Sequence, residues 1–457
     1  MKFQRRKEMF KKLTQASVKL VQNYLPDPFL FAVILTLIVF LAGMGITSQG
    51  PIDMIKHWGN GFWGLLAFSM QMALVLVTGH TLASTQIVKK ALVALAKPCK
   101  TPLQAIMAVT FVSTIACWIN WGFGLVVGAL YARQLAKHVK GVDYRLLIAS
   151  AYSGFVVWHA GISGSIPLQL ATPGAALEAA TKGAVTSPIS TSLTIFSTYN
   201  LIIVGIILFT MPFITRAMHP SKENVVAIDP SLLEDETIEE EVNIVTFADK
   251  IENSFILSMI IGLMGLVFIG YYLMTFGFEL NLNIVNFIFL FLGIILHKTP
   301  KRFLNAVSIA AKGTSGIIIQ FPFYAGIMGM MVGVSATTGL SFAGVISQWF
   351  VSISNQTTYP LFTFLSAGIV NFFVPSGGGQ WAVQAPIMMP ASVELGVDTA
   401  KTAMAIAWGD AWTNMIQPFW ALPALAIAKL GARDIMGYCL VILIYSGVII
   451  GLGLLFL

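Results

Sequence analysis

The sequence predicts an all-α polytopic membrane protein, because its composition, its apolar stretches and its charge distribution all indicate a lipid environment. Of the 457 residues, 56% are hydrophobic and only 10% are charged, whereas soluble domains carry about 25% charged residues. The mean hydropathy is +0.80. A soluble fold could not bury that much apolar surface, so lipid must cover the rest.

A series of apolar stretches is long enough to cross a hydrocarbon core of about 30 Å, and it predicts about nine transmembrane helices. The stretches are residues 29–48, 61–79, 145–165, 193–213, 254–275, 283–297, 313–335, 401–427 and 435–456. The first one follows a basic N-terminal segment, residues 1–28, and has no small-residue cleavage site. It is therefore expected to remain in the membrane rather than to be removed as a signal peptide.

Two further apolar regions, residues 102–139 and 359–393, are interrupted at their centres by clusters of Gly and Pro. Because Gly and Pro disfavour helix interiors, each region is predicted to form a re-entrant hairpin of two helices joined by a non-helical tip. Such backbone is tolerated at membrane depth only where protein or water satisfies its polar groups. The two tips are therefore expected to line a cavity.

The Lys and Arg residues support this arrangement. With a cytoplasmic N-terminus and two hairpins that return to the side they came from, all 27 of them except Lys56, Lys182 and Lys401 fall on the cytoplasmic side. The positive-inside rule requires this asymmetry. The net charge of +7 is therefore assigned to topology and to contact with anionic lipid, and nucleic acid is not expected as a partner. The acidic segment Asp229–Glu241 is predicted to be a solvated cytoplasmic linker.

The chain also contains an internal repeat, in which Gly122 and Gly124 align with Gly377 and Gly379. The first half begins by leaving the cytoplasm and the second begins by returning to it, so the repeats are predicted to have inverted topology. The predicted parts are the first repeat (29–213), a cytoplasmic acidic linker (214–253), a connecting transmembrane helix (254–275) and the second repeat (283–457).

The hairpin tips are the candidate substrate-binding elements. The helix that begins after each tip would point unpaired backbone N–H groups and the positive end of its dipole at the membrane midplane, which suits a carboxylate. A bulky side chain at Gly378 is expected to block the approach of that carboxylate. The candidate substrate-binding residues are Asn120, Trp121, Gly122, His159, Ser163, Asn371, Ser376, Gly377, Gly378, Gly379, Gln380 and Asn414. Close helix packing is the alternative role for the glycines, and a structural hydrogen-bonded side chain is the alternative for His159.

Asp410 is the candidate for binding a cation or a proton, because it is the one acidic residue that these spans place near their centre and a carboxylate there is costly. Gly409 and Pro418 are expected to break its helix and to free carbonyl groups. Asp410, Thr413, Asn414 and those carbonyls would then hold Na+ or H+. No basic residue is expected near Asp410, and a purely structural carboxylate is the alternative.

No catalytic residue, metal site or cofactor is predicted. The chain has no nucleophile motif, no nucleotide-binding loop and no cluster with metal-ligand spacing. Its three cysteines, Cys99, Cys117 and Cys439, are widely spaced along the sequence. A membrane-embedded enzyme and a channel remain alternative functions, which product formation and saturable, gradient-dependent flux would distinguish from a carrier.

Several stretches together resemble the bacterial short-chain fatty acid transporter family, which belongs to a wider ion-transporter superfamily. They are Tyr24–Pro28, Ala116–Gly124, His159–Pro167, Asn371–Gln380 and Trp408–Pro418. The resemblance implies uptake of short monocarboxylates such as acetoacetate, butyrate or acetate across a bacterial inner membrane. It also implies an elevator-like movement of the hairpins and broken helices past a scaffold.

Cation-coupled symport rests on Asp410, because the resemblance does not fix the coupling ion. A dicarboxylate carrier is the nearest alternative, but it would need more donors or a basic residue for the second carboxylate. The choice between Na+ and H+ and the existence of a homo-oligomer are left open.

Cysteine labelling tests the topology. Single cysteines introduced near Lys182 and near Val397 are expected to react with a membrane-impermeant thiol reagent added on the periplasmic side, because the positive-inside rule places both positions there. A cysteine near Glu236 is expected to stay unlabelled. Periplasmic labelling at the Glu236 position would contradict the predicted arrangement of spans.

Overall fold

The computed structural model describes residues 2–172, 175–228, 246–277 and 282–457. These residues form helices, turns and loops, with no strand among them, so the all-α fold class is confirmed. The predicted acidic linker segment Asp229–Glu241 lies outside the described residues.

The helices of the first part of the chain are α1 (Lys2–Tyr24), α2 (Pro28–Thr47), α3 (Pro51–Gly61), α4 (Leu66–Ala83), α5 (Gln86–Ala96), α6 (Pro102–Ile119), α7 (Trp121–His138), α8 (Tyr144–Ser153), α9 (Ser165–Ala171), α10 (Ala175–Ala180) and α11 (Thr198–Ala217). Those of the second part are α12 (Phe247–Glu252), α13 (Phe255–Phe276), α14 (Leu282–His297), α15 (Pro300–Ala311), α16 (Ser315–Val332), α17 (Phe342–Ser352), α18 (Tyr359–Phe373), α19 (Gly377–Glu394), α20 (Thr399–Thr413), α21 (Pro418–Ala428) and α22 (Ala432–Phe456).

Eight helical stretches within the described residues are long and apolar enough to cross a membrane. They are Pro28–Thr47, Leu66–Ala83, Pro102–Ile119, Tyr144–Ala171, Thr198–Ala217, Phe255–Phe276, Ser315–Val332 and Ala432–Phe456. Large apolar side chains such as Leu41 on α2 and Val267 on α13 are exposed, which water would disfavour and lipid tolerates. The multi-pass membrane character is confirmed, whereas the number of spans stays a prediction.

The first helix pair consists of α6 and α7, which are separated by one extended residue, Asn120 (φ −153°, ψ 123°). Its side-chain oxygen accepts a hydrogen bond from Phe123 N–H at 2.9 Å, so Asn120 ends one helix and caps the next. The two helices pack closely, since a Cβ atom at Gly124 would overlap the Cys117 sulfur.

The second helix pair consists of α18 and α19, and its break covers Val374–Ser376. Ser376 Oγ accepts from Gly379 N–H at 3.3 Å and caps α19. In both pairs the break falls at the Gly-rich tip. Whether each pair enters and leaves the membrane on one side depends on the membrane position, so re-entry stays a prediction.

A broken helix follows each pair. In the first half, α8 continues into a 3₁₀ segment (Gly154–Ala160), and α9 begins only at Ser165. In the second half, α20 continues into a short 3₁₀ turn (Asn414–Ile416) before α21.

Two expectations about helix ends are corrected. Gly409 does not break its helix but lies inside α20, where a Cβ atom would overlap the Phe364 carbonyl oxygen of α18; its role is close packing. The stretch predicted to begin at residue 61 begins its helix at Leu66. Gly61 instead ends α3 against α16, where a Cβ atom would lie 2.7 Å from Gly329 Cα.

The close contact of α18 with α20 gives a stability prediction. Gly409→Ala should lower the free energy of unfolding by about 1–3 kcal/mol, because the added methyl group has no space beside α18. The matched control is Gly270→Ala on α13, where a Cβ atom would meet nothing within 4 Å and helix propensity favours Ala. Thermal unfolding of both purified variants measures the difference, and equal stability of the two would contradict this packing role.

Candidate functional site

The candidate site lies where the two halves of the molecule meet, between the 3₁₀ segment Gly154–Ala160 and helix α20. His159 and Asp410 are both fully buried, and His159 Nδ1 lies 3.5 Å from Asp410 Oδ1. The expectation that no basic residue neighbours Asp410 is therefore wrong. Sequence reasoning singled out both residues, but it could not bring them together because 250 positions separate them along the chain.

Backbone geometry fixes the protonation pattern of the neutral His159 ring. Ile166 N–H donates to His159 Nε2 at 3.0 Å, and the Ser165 hydroxyl lies 3.0 Å from the same nitrogen. A nitrogen that accepts a backbone N–H cannot carry its own proton. The proton of the neutral ring is therefore on Nδ1, which faces Asp410.

Asp410 is only partly satisfied. Its Oδ1 accepts from Asn414 Nδ2 at 3.3 Å, and its Oδ2 has no hydrogen-bond partner. Burying a carboxylate oxygen without a donor is costly. A proton, a cation, an ordered water or a rearrangement that brings a donor would satisfy this oxygen.

Asn371 reaches the same cluster from the end of α18. Its Nδ2 lies 2.8 Å from the Asp410 carbonyl oxygen, 3.0 Å from Thr413 Oγ1 and 2.7 Å from Asn414 Oδ1. The structure thus groups this candidate substrate ligand with the three residues predicted to bind a cation or a proton. Its own Oδ1 has no partner.

The carbonyl groups released by the break after α20 already have protein donors. Tyr152 O–H donates to the Asn414 carbonyl oxygen at 2.6 Å, and Asn371 Nδ2 donates to the Asp410 carbonyl oxygen at 2.8 Å. The oxygens without partners in this cluster are Asp410 Oδ2 and Asn371 Oδ1. The described residues contain no group of three or more His, Cys, Asp or Glu side chains that could hold a metal ion.

The first tip is closed. Trp121 N–H donates to Ser163 Oγ at 3.1 Å, while Asn120 caps α7. The Trp121 ring packs edge-to-face on Trp420 at a centroid distance of 5.3 Å, and Gly122 is buried. Asn120 and Ser163 therefore act as helix caps, and Trp121 belongs to an aromatic cluster.

The second tip is more open. The first N–H groups of a helix have no acceptor within that helix, and here they belong to Gly377 and Gly378. Gly378 is exposed, and a Cβ atom there would lie 3.6 Å from Gln169 Nε2, an ordinary contact. At Gly377 a Cβ atom would overlap Ser165 Oγ and lie 2.7 Å from His159 Cε1. The position that excludes a side chain is therefore Gly377 rather than Gly378.

Gln380 anchors this tip from inside. It is fully buried, and its Nε2 donates to the Ala367 carbonyl oxygen of α18 at 2.8 Å and to Gln384 Oε1 at 2.9 Å. Gln384 in turn donates to Ser347 and Ser366, both at 3.1 Å. This polar chain fixes α19 against α17 and α18.

Sequence reasoning missed Asn200 on α11. It is fully buried; its Oδ1 accepts from Trp408 Nε1 at 2.9 Å, and its Nδ2 donates to the Ala160 carbonyl oxygen at 3.1 Å. Asn200 therefore joins the two broken helices just behind His159 and Asp410. An Asn at the start of an apolar span was the available signal.

The family model described as Short chain fatty acid transporter matches residues 9–457. A protein of Escherichia coli (strain K12), provisionally named a short-chain fatty acid transporter, is 48% identical over 448 residues, which are 98% of this chain and 99% of that protein. A protein of Haemophilus influenzae with the same provisional name is 45% identical over 457 residues, covering 98% and 100% of the two chains.

Among solved structures, the Alcanivorax borkumensis YdaH transporter aligns with 94% of this chain and 97% of its own. The sequence identity is 14% and the TM-score is 0.42.

Two glycine variants test the geometry of the second tip. Gly377→Ala should reduce substrate uptake by about tenfold or more, since the methyl group displaces Ser165 or His159 and small displacements at such sites are costly. Gly378→Ala should retain nearly wild-type uptake. Uptake in proteoliposomes containing equal amounts of folded protein measures both, and greater sensitivity at Gly378 would contradict the structural assignment.

Proposed function

The chain belongs to the short-chain fatty acid transporter family, and on that premise we propose that it is a proton-coupled uptake carrier for short-chain monocarboxylates. The relatives that align with nearly the whole chain are named as transporters of short-chain fatty acids. Members of the family are transporters, so the alternative of a membrane-embedded enzyme is excluded. Acetate, butyrate and acetoacetate are the proposed substrates, and the bacterial inner membrane is the proposed location, with the N-terminus in the cytoplasm.

The observation that carries the coupling proposal is the unpartnered Oδ2 of the fully buried Asp410. Burying a carboxylate oxygen without a donor is costly, and a proton bound at Oδ2 would remove that cost. Asp410 is therefore proposed to bind a proton during each transport cycle. His159 Nδ1, which also has no hydrogen-bond partner and lies 3.5 Å from Oδ1, is proposed to approach and donate to the ionised form.

A proton is favoured over Na+ because few oxygens are free. A cation held by protein needs several oxygen ligands, whereas most oxygens in the Asp410 cluster already accept hydrogen bonds from Asn371, Asn414 or Tyr152. A single proton on Asp410 Oδ2 would satisfy the orphaned atom. Na+ is the second candidate ion, supported by the free Asn371 Oδ1 beside the cluster.

The substrate carboxylate is proposed to bind at the first turn of α19. The N–H groups of Gly377 and Gly378 and the helix dipole offer a site for an anion, and Gly377 lies against His159. Because an ionised Asp410 would repel a carboxylate there, protonation of Asp410 would favour substrate binding. This dependence would couple transport of the carboxylate to transport of the proton.

The conformational change that carries the proton and the substrate across the membrane is proposed to be elevator-like. The two helix pairs and the two broken helices would move together, held by contacts such as Asn200 with Trp408. The halves are proposed to be inverted repeats, which is the arrangement common to many carriers of this type.

Asp410→Asn in proteoliposomes tests this coupling. The variant keeps the side-chain shape and removes the charge, so it should lose accumulation of labelled butyrate driven by an imposed pH gradient. Exchange of labelled for unlabelled butyrate should persist, because exchange needs no net proton movement.

The wild-type protein serves as the reference with pH and Na+ gradients imposed separately. Accumulation that follows only the Na+ gradient would replace the proton with Na+ as the coupling ion. Wild-type gradient dependence in Asp410→Asn would show that Asp410 is a structural carboxylate. The matched control is Asp53→Asn, since Asp53 lies on the exposed end of α3 beside Lys56.

A further inference from the structure

A cavity of about 390 Å³ lies between α16, α17 and α19, beside the second tip. Its walls come from three helices and the loop between α16 and α17, and Lys182 joins them from the first half of the chain. Its lining includes Lys182, Met328, Gly379, Val383 and Ile387. Small-molecule sites typically have volumes of about 300–1,000 Å³, so the cavity is large enough for a short acid.

We infer that this cavity is a second binding site for the short-chain monocarboxylate, in which Lys182 binds the carboxylate and the apolar wall holds the alkyl chain. The inference rests on the proposed function for the choice of ligand. It adds a site from which the substrate passes to the first turn of α19.

The charge in the cavity supports an anionic ligand. Lys182 is the one charged residue in its lining, which otherwise consists of apolar and neutral polar residues. Among the described residues, no acidic side chain forms an ion pair with Lys182. A single ammonium group beside an apolar wall matches a molecule with one carboxylate and a short hydrocarbon chain.

The backbone at Lys182 is held in an unusual conformation. Lys182 has φ 49° and Gly183 has φ 80°, so two successive residues are left-handed. Hydrogen bonds from Gly183 N–H to the Glu178 carbonyl oxygen at 2.9 Å, and from Val185 N–H to Thr181 Oγ1 at 3.1 Å, fix this end of α10. Gly or Asn would adopt the conformation at lower cost.

The cavity is continuous with the proposed substrate site at the tip. Gly379, Val383 and Ile387 lie on one face of α19 at helical spacing and line the cavity. Gly379 belongs to the first turn of that helix, and a Cβ atom there would lie 3.0 Å from Met328 Sδ, which also lines the cavity. The first turn of α19 therefore contributes directly to the wall of the cavity.

Transport kinetics provide the first test, with full-length protein in proteoliposomes. Lys182→Gln should raise the KM for butyrate by about tenfold, the effect of losing one charged hydrogen bond, while Vmax changes little. Lys182→Arg should keep a KM near the wild-type value. Because Lys182 is exposed, the difference between wild type and Lys182→Gln should shrink at high ionic strength.

Two variants separate charge from backbone effects. Lys182→Gly relieves the left-handed residue, so its thermal stability should not fall, yet its KM should rise as in Lys182→Gln. Lys298→Gln is the matched control, because Lys298 is also exposed and left-handed (φ 70°) but does not line the cavity. A wild-type KM in Lys182→Gln, or an equal rise in Lys298→Gln, would overturn the inference.

A binding test that needs no transport distinguishes this inference from the proposed function. The three native cysteines are buried, so Val383→Cys gives a thiol that a maleimide can reach selectively in the cavity. Butyrate should slow its alkylation, and the added change Lys182→Gln should abolish that protection. Protection without gradient-driven uptake would leave the cavity site standing and remove the proposed function. Uptake without any protection would overturn the cavity site alone.

Discussion

The burial of one incompletely satisfied carboxylate, Asp410, constrains the structure around it. A charged group inside a membrane protein is stable only if the surrounding protein is held rigidly enough to supply donors or a bound ion. Here α18 and α20 are pressed together through Gly368 and Gly409, whose Cβ atoms would overlap or crowd the facing helix. That close approach lets Asn371 reach three acceptors around the end of α20.

The second tip packs close to the residues that surround Asp410. A Cβ atom at Gly377 would overlap Ser165 and His159, and the Ile166 amide orients the His159 ring. The same ring places its Nδ1 3.5 Å from Asp410 Oδ1. One imidazole ring therefore lies between the second tip and the buried carboxylate.

Much of the fold could be predicted from the sequence. A membrane requires long apolar helices and places Lys and Arg mainly on the cytoplasmic side, and both features can be read directly from the sequence. The breaks at Asn120 and Val374–Ser376 were likewise visible in the Gly and Pro pattern. The pairing of His159 with Asp410 was not, since it depends on how two distant helices pack. The same holds for Gly409, whose packing role against Phe364 appears only once α18 is placed beside it.

Electrostatics gives a reason for the separation of Lys182 from Asp410 by the first turn of α19. On the proposed mechanism, a hydrated anion first meets an exposed ammonium group, where binding is weak and reversible because water screens the charge. When the anion moves to the N–H groups of Gly377 and Gly378, the helix dipole replaces the Lys182 ammonium group. The dipole interacts more weakly with a full negative charge. The transfer is favourable only if no second negative charge lies nearby, which requires Asp410 to be neutral. The carboxylate would therefore leave Lys182 for the interior only after the proton had arrived.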